Sequence, residues 1–449
     1  MRKWRKSAAL ALVLMMAAST LAGCGGNGET KTETAKTEAA KTEPTATEAG
    51  TAAGGDAKET AASTGKVEFW NDKFINMEQG DVNKIFDSIG SLSGIGVEPV
   101  TYPDTAAYQT AMQQSIRGEE APGLFTWWSG PQLETLAKNG LLEDLTDMWP
   151  DYVTANGVSA DIAESFTVDG KVYAVPYSII YNTLIYNKNI FAKYNLEIPT
   201  TFEEFLTVCQ TLKDNGVTPV ALKNDSWAGF IWFQAMLASY DPQLYQDVCD
   251  GTKPYTDEGV VTVMNQWKEM LDKGYFSTPM TIQDMDKSLA AGTVAMELEP
   301  NYEAGTLVKE YGMVAGEDIG TFVLPSMNDH KKVMFFEVTP LCVAKSSKDK
   351  ESGKEVIRSW FKKDHQTVLT AMTNNVNTSE VQTDNACVNE MISYSTDTEN
   401  YQMILRYYEN TPEEIRNVAL DQLMKFELGN AGVDEVLKAI QAKADEVFK

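Results

Sequence analysis

From Lys66 to Gly140 the sequence alternates between two hydrophobic periods, and this limits the fold more than any single residue does. "KVEFW" reads as a buried strand, a helical stretch follows to about Ser91, and "VEPVTY" reads as a second strand. Asp104 stands where it can cap the next helix, in which Tyr108, Met112 and Ile116 recur every fourth residue before Gly118. "APGLFTWW" reads as a third strand, and Pro131 opens a helix through Lys138 that Gly140 closes. Such alternation implies βαβ units and a largely parallel sheet, an α/β fold. "DGKVYAVPYS" carries hairpin chemistry at Asp169-Gly170, and "LIYNKNIF" reads as a strand running into a helix. From Thr200 helices become more frequent. "PTTFEEFLTVCQTLKDNG" has Thr200 or Thr201 as cap, early glutamates, a late Lys213 and a terminal Gly216. "VTPVAL" is a short strand, and "TDEGVVTVMNQWKEMLDKG" a second well-capped helix. "AAGTVAMELEP" reads as helix end, strand and loop, "KVMFFEVTPLCVAKSS" as extended chain, and the rest from Glu351 as mostly helix.

The N-terminus is of a different kind. Arg2, Lys3, Arg5 and Lys6 precede the apolar run "AALALVLMMAAST", too short to span a bilayer as a mature helix but of secretory form. It ends in "LAGC" at residues 21–24. This resembles the lipobox of bacterial lipoproteins, in which the chain is cut before the Cys and its thiol is diacylated, so Cys24 becomes the lipid-bearing first residue. Two or more acyl chains anchor stably where one does not. In residues 25–65, "KTETAKTEAAKTEPT" repeats every five residues, and no aromatic occurs between Trp4 and Phe69. Nothing there builds a core; it reads as a disordered tether with a reach of roughly 30–40 Å.

About 385 residues follow the tether, natural for two domains. The chain carries a net charge of −26, and removing the signal segment makes it still more acidic, which excludes non-specific nucleic-acid binding. Cys209 falls on the apolar stripe Phe202, Phe205, Leu206, Cys209, Leu212, and Cys342 lies in "PLCVA"; both read as small buried hydrophobes. Cys249 and Cys387 complete the set, and pairing among the four is left open. No Cys pair has metal-site spacing, and His330 and His365 sit in polar stretches expected to be solvated, so neither metal nor cofactor is implied.

The ordered set of landmarks resembles a known family. It runs "FW" at the end of the first strand, "Y…RGEEAPGLFTWWSG…LAKNGLLEDLTD", "DGKVYAVPYS", "LIYNKNIF", "IPTTFEEFLTVCQTLKDNGVTPVAL" and "AGTVAMELEPNY". From Lys66 onward the chain is similar to the family 1 extracellular solute-binding proteins, sugar-binding lipoproteins of ABC importers related to maltose-binding protein. One departure is Gly123, where the family commonly has Asp. The resemblance implies a two-lobed periplasmic-binding-protein-like α/β fold, with a hinge and a ligand cleft between lobes. Lobe 1 would take 66–178 and about 338–385; lobe 2 would take about 183–335 and 386–449. It implies a membrane-anchored extracytoplasmic monomer, not an enzyme, that captures a carbohydrate and delivers it to permease subunits.

Ligands of open α/β sheets lie at the C-terminal ends of strands. Alternation along a strand sends Trp127 and Trp128 to opposite faces, so Trp128 is expected in the cleft as a stacking platform and Trp127 partly packed. A pyranose offers an apolar C–H face and a rim of hydroxyls, which suits an aromatic surface ringed by polar side chains. The same logic nominates Ser129; Trp70, Asn71, Asp72 and Lys73 at the end of the first strand; and Tyr177, Ser178, Tyr181 and Asn182 at a lobe crossing. From the second lobe come Trp227, Phe230 and Trp232, of which at least one is expected in a helix core, and Glu299 and Tyr302. Glu337, at another crossing, can accept from a hydroxyl. Two rivals stay open. The same fold can bind a polyamine, an amino acid or other small cargo, with Asp72, Glu299 and Glu337 facing ammonium groups. An anchored glycoside hydrolase would require two carboxyls flanking one bond, and no such pair stands out.

Overall fold

The structure, a computed structural model, describes residues 65–74, 77–225 and 228–449. Cys24, the signal segment, the tether and Trp227 lie outside the described residues. Among the described residues no helix is long and apolar enough to cross a membrane.

Eleven strands are described. They are β1 (Lys66–Asn71), β2 (Gly96–Thr101), β3 (Leu124–Thr126), β4 (Thr167–Val168), β5 (Lys171–Val172), β6 (Val175–Asn187), β7 (Thr218–Val220), β8 (Val294–Pro300), β9 (Ile319–Phe322), β10 (Lys332–Cys342) and β11 (Tyr401–Leu405). The main sheet runs β2-β1-β3-β10-β6-β8-β7, with β11 added to β10 and β9 to β6. The flanks are parallel, β2-β1-β3 at one end and β8-β7 at the other. Between them β10 is antiparallel to β3 and β6, and β6 to β8. The sheet is therefore mixed: the expected βαβ pattern holds at its ends, and two long strands join them.

Each end has its own core. The first gathers Phe69, Phe86, Tyr177 and Trp360. The second packs the helices Phe230–Tyr240, Glu258–Asp272, Glu413–Glu427 and Val433–Val447 around Phe233, Trp267, Tyr407 and Phe426. The joining strands serve both. On β6, Ile179, Tyr181 and Ile185 belong to the first core and Leu184 and Tyr186 to the second. On β10, Phe336 and Val338 belong to the first, Val333 and Phe335 to the second. Leu289, Ala304, Leu307, Cys387 and Met391 also pack with the first core, although the sequence boundaries assigned them to lobe 2.

Local signals account for most elements. Asp104 accepts from the Ala107 N–H, and Thr201 with Glu204 forms a reciprocal capping box on the helix Phe202–Asp214. Asp169 (φ 51°) and Gly170 (φ 76°) make the two-residue turn between β4 and β5. Four expectations are corrected. β3 ends at Thr126, before either indole. The presumed loop after β8 is the helix Asn301–Tyr311, which starts directly at Pro300. β11 lies within the region read as helix. His365 is fully buried in the helix Lys363–Thr373, 4.6 Å from the Trp360 ring, and burial pushes it down to about 3. Cys209, Cys249, Cys342 and Cys387 are buried and unpaired.

Candidate functional site

β1 and β3 are parallel neighbours and end side by side, so the turns that follow them meet. After β1, the Asn71 carboxamide oxygen accepts from the Lys73 and Phe74 N–H groups at 3.0 and 3.2 Å. That tight turn buries Asn71 completely, leaves the Asp72 side chain only 5% exposed and keeps Lys73 partly exposed. Asp72 accepts from the Thr105 hydroxyl at 2.9 Å and lies 3.3 Å from the Lys73 ammonium. Lys73 in turn stands 5.5 Å over the Trp128 ring. Trp127 and Trp128 do not part. With the strand already ended, their rings meet edge to face at 4.9 Å, both against Tyr108. Trp127 is 9% exposed and packs on Phe125, whereas Trp128 is half-buried.

The next turn leads into the second core. Gly130 (φ 70°) precedes the helix Pro131–Lys138, and a Cβ there would come within 2.0 Å of the Glu409 carbonyl oxygen. Trp128 and Ser129 consequently share a hollow with Tyr408, Glu409 and Arg416. Arg406 anchors that side, bidentate on Glu409 at 2.6 and 2.7 Å and 2.8 Å from Glu337. Burial opposes the charge on Arg406, but Glu337 and Glu409 outweigh it and hold the guanidinium above its ordinary value. Arg406 also stands 5.8 Å from the Phe230 ring, and Arg416 4.0 Å from the Tyr408 ring. Three buried polar atoms in the hollow, Ser129 Oγ, Thr411 Oγ1 and Arg416 Nε, have no hydrogen-bond partner. Buried polar groups are satisfied as a rule, so such orphans point to a missing partner.

The nominated residues thus separate into three groups. Asp72, Lys73, Trp128 and Ser129 come together on one side, and Glu337 reaches the other through Arg406. Tyr302 is held above its ordinary range chiefly by burial, with the carboxylates of Glu299 and Glu337 adding to it, which places it near that ion pair. Phe230 is buried but stacks on Tyr407 and packs on Tyr408, behind the hollow. A second group is structural. Tyr177 fills the first core between Phe69, Phe74 and Trp360, and Trp232 packs edge-on against Phe276 in the second. Asn71 closes its turn, and Ser178 is buried opposite Thr339. Trp70 donates to Glu68 at 2.7 Å and leans on Tyr102. A third group faces elsewhere. Tyr181 lines a cavity with Ile179 and Phe336, on the strand face opposite Glu337. Asn182 is half-buried opposite Phe335. Glu299 is 1% exposed and holds Lys223 at 2.8 Å; burial raises it to about 7 against the pull of that ammonium.

Arg406, Tyr408, Glu409 and Arg416 were not nominated. The signal was "LRYYENTPEEIR", an adjacent tyrosine pair between two arginines. Among the described residues no group of His, Cys, Asp and Glu is arranged to hold a metal ion.

The chain is similar to several known proteins. The diacetylchitobiose binding protein DasA of Streptomyces coelicolor is 24% identical over 258 residues, 56% of this chain and 59% of that protein. The osmoprotective compounds-binding protein GgtB of Synechocystis sp. is 26% identical over 182 residues, 39% of this chain and 43% of that protein. The chain thus spans between 43% and 59% of the length of these two curated relatives. Among solved structures, the bacterial solute receptor AcbH, described with a preference for β-D-galactopyranose, superposes with a TM-score of 0.75 at 18% identity, covering 86% of this chain and all of that one. Apo RafE from Streptococcus pneumoniae superposes at 0.71 and 17% identity, covering 86% of this chain and 99% of that one. These likenesses establish the fold, a two-lobed solute-receptor architecture. A family profile described as bacterial extracellular solute-binding protein matches residues 84–390, and the chain belongs to that family.

Proposed function

We propose that this protein is the carbohydrate receptor of an ABC importer, tethered to the extracytoplasmic membrane face through lipidated Cys24, and that it closes two lobes on its sugar at Trp128. One observation carries the reading: Trp128 shares a hollow with Tyr408 and Arg416 from the other core, where Ser129 Oγ and Arg416 Nε lie buried without partners. An aromatic face beside unsatisfied polar atoms suits a pyranose; the hollow itself, about 20 Å³, has room for about one water, so a sugar enters only when its two halves part. The sugar-binding names among relatives and neighbours support it. At roughly 0.3 kcal/mol per heavy atom, a disaccharide would bind with a Kd near 10 μM.

The polyamine reading needs acids free to meet ammonium groups. Asp72, Glu299 and Glu337 each already face a cation, Lys73, Lys223 and Arg406 respectively. A site whose charges are internally paired favours an uncharged ligand. The test is a thermal-shift panel of mono- and oligosaccharides, polyamines and amino acids against the full chain in detergent. A ligand at 100 times its Kd adds about 2.7 kcal/mol to native stability. A saccharide hit that Trp128→Ala removes supports the reading; a hit confined to polyamines overturns it.

A further inference from the structure

We infer that the binding site does not end at Trp128 but continues outward along a groove on the first-core side, and that this groove takes the further units of an oligosaccharide chain. The inference rests on the carbohydrate reading above and adds to it a direction and a length. The groove has a volume of about 610 Å³ and runs between the helices Thr105–Ser115 and Pro131–Lys138. Gln132 and Glu413 border both this groove and the hollow beside Trp128, so the two adjoin across these side chains.

Helical spacing builds its walls. Gln109, Met112, Gln113 and Ile116 recur at three and four residues along the first helix, as do Gln132, Thr135, Leu136 and Asn139 along the second. Each wall therefore presents apolar side chains low down and carboxamides along the rim. At the inner end lies Trp127, 9% exposed, whose indole Nε1–H has no acceptor. A buried donor left without a partner is costly, and a sugar hydroxyl is an acceptor of the right kind once the Trp127 ring shifts to expose it. Trp267 and Trp360, fully buried in the two cores, carry the same orphaned indole N–H. A trough of this sort, with an apolar floor, an indole at its base and amide side chains on both rims, matches the alternating C–H faces and hydroxyls of a saccharide chain. The rim holds one cation, Arg117, and one anion, Glu413, so the groove as a whole favours a neutral chain.

The test is a length series measured by titration calorimetry on the full chain. The probes are the ladders from one to five units of xylose, N-acetylglucosamine and raffinose-family oligosaccharides. On the ladder that binds, affinity is expected to rise at least fivefold from the disaccharide to the tetrasaccharide. Gln113→Ala combined with Asn139→Ala, both on the exposed rim, should remove that increment and leave the disaccharide within twofold. Thr135→Trp, which fills the groove, should do the same, and its Tm verifies that it folds. An affinity that stays flat beyond two units, or rim variants that weaken short and long probes equally, overturns the groove while leaving the carbohydrate reading intact. If none of the ladders binds wild-type protein, both readings fall together.

Discussion

Trp127 and Trp128 touch edge to face, and the contact divides their work. Trp127 anchors the turn against Phe125 and Tyr108, while Trp128 keeps an exposed face beneath Lys73. Trp128→Ala should weaken sugar binding by about tenfold or more and also lower Tm by a few degrees, because the ring packs on Trp127 and Tyr108 as well as facing the hollow. Calorimetry read beside a melting curve separates the two effects. A second prediction concerns the buried acids Asp286, Glu297, Glu299 and Glu303, with Lys223 the cation among them. Burial raises Asp286 to about 7, helped by Glu303 and opposed by Lys223. The native state then holds a proton that the unfolded chain gives up near pH 4. Its contribution to stability is full below that pH and is lost as pH rises toward 7. Asp286→Asn should shrink the fall in unfolding free energy between pH 4 and 8 by about 1–3 kcal/mol, measured by urea titration at both values.

At the scale of elements, caps and turns were legible because their determinants are local. Thr201 and Glu204 satisfy the first N–H groups of the helix Phe202–Asp214 without help from the rest of the chain. Thr201→Ala should therefore cost about 1 kcal/mol, a shift of a few degrees in Tm, and leave binding untouched. The misread elements depend on distant partners. β11 is a strand because β10 offers it an edge, with Lys332 to Phe336 opposite Tyr401 to Leu405. The helix Asn301–Tyr311 follows β8 without a loop because Asn301 ties it down, accepting from the Tyr181 N–H and donating to the Asn374 carbonyl. Neither partner is visible from within its own segment.

On the scale of the molecule, the decisive contact is the approach of Gly130 to Glu409, which brings the turn after Trp128 against the segment that carries Arg406 and Tyr408. A Cβ at Gly130 has no room and an unfavourable φ of 70°. Gly130→Ala is expected to lower stability by about 2 kcal/mol and to weaken binding more than Thr201→Ala does, since it pushes the two halves of the hollow apart. Parallel melting curves and titrations of the two variants check this. The proposed anchor gives a separate prediction. Cys24→Ser removes the thiol that would carry lipid, so the protein should move from the membrane fraction to the medium, as read by fractionation and blotting.

By itself the sequence determined the α/β class, most helix and strand positions, the capping residues and the turn chemistry. It also marked Asp72, Lys73, Trp128 and Ser129, because strand ends in an α/β sheet face the ligand side and these residues follow strand ends directly. Only the tertiary structure decided which aromatics lie in a core and which border the hollow. Tyr177 and Trp128 look alike in sequence, yet one sits among Phe69, Phe74 and Trp360 and the other stops at a half-open hollow. Only the tertiary structure joined residues 128–130 to 406–416, which no local pattern connects. The physical reason is range. Backbone propensity and capping act within a few residues, whereas burial and ion pairing are set by whatever the fold brings alongside.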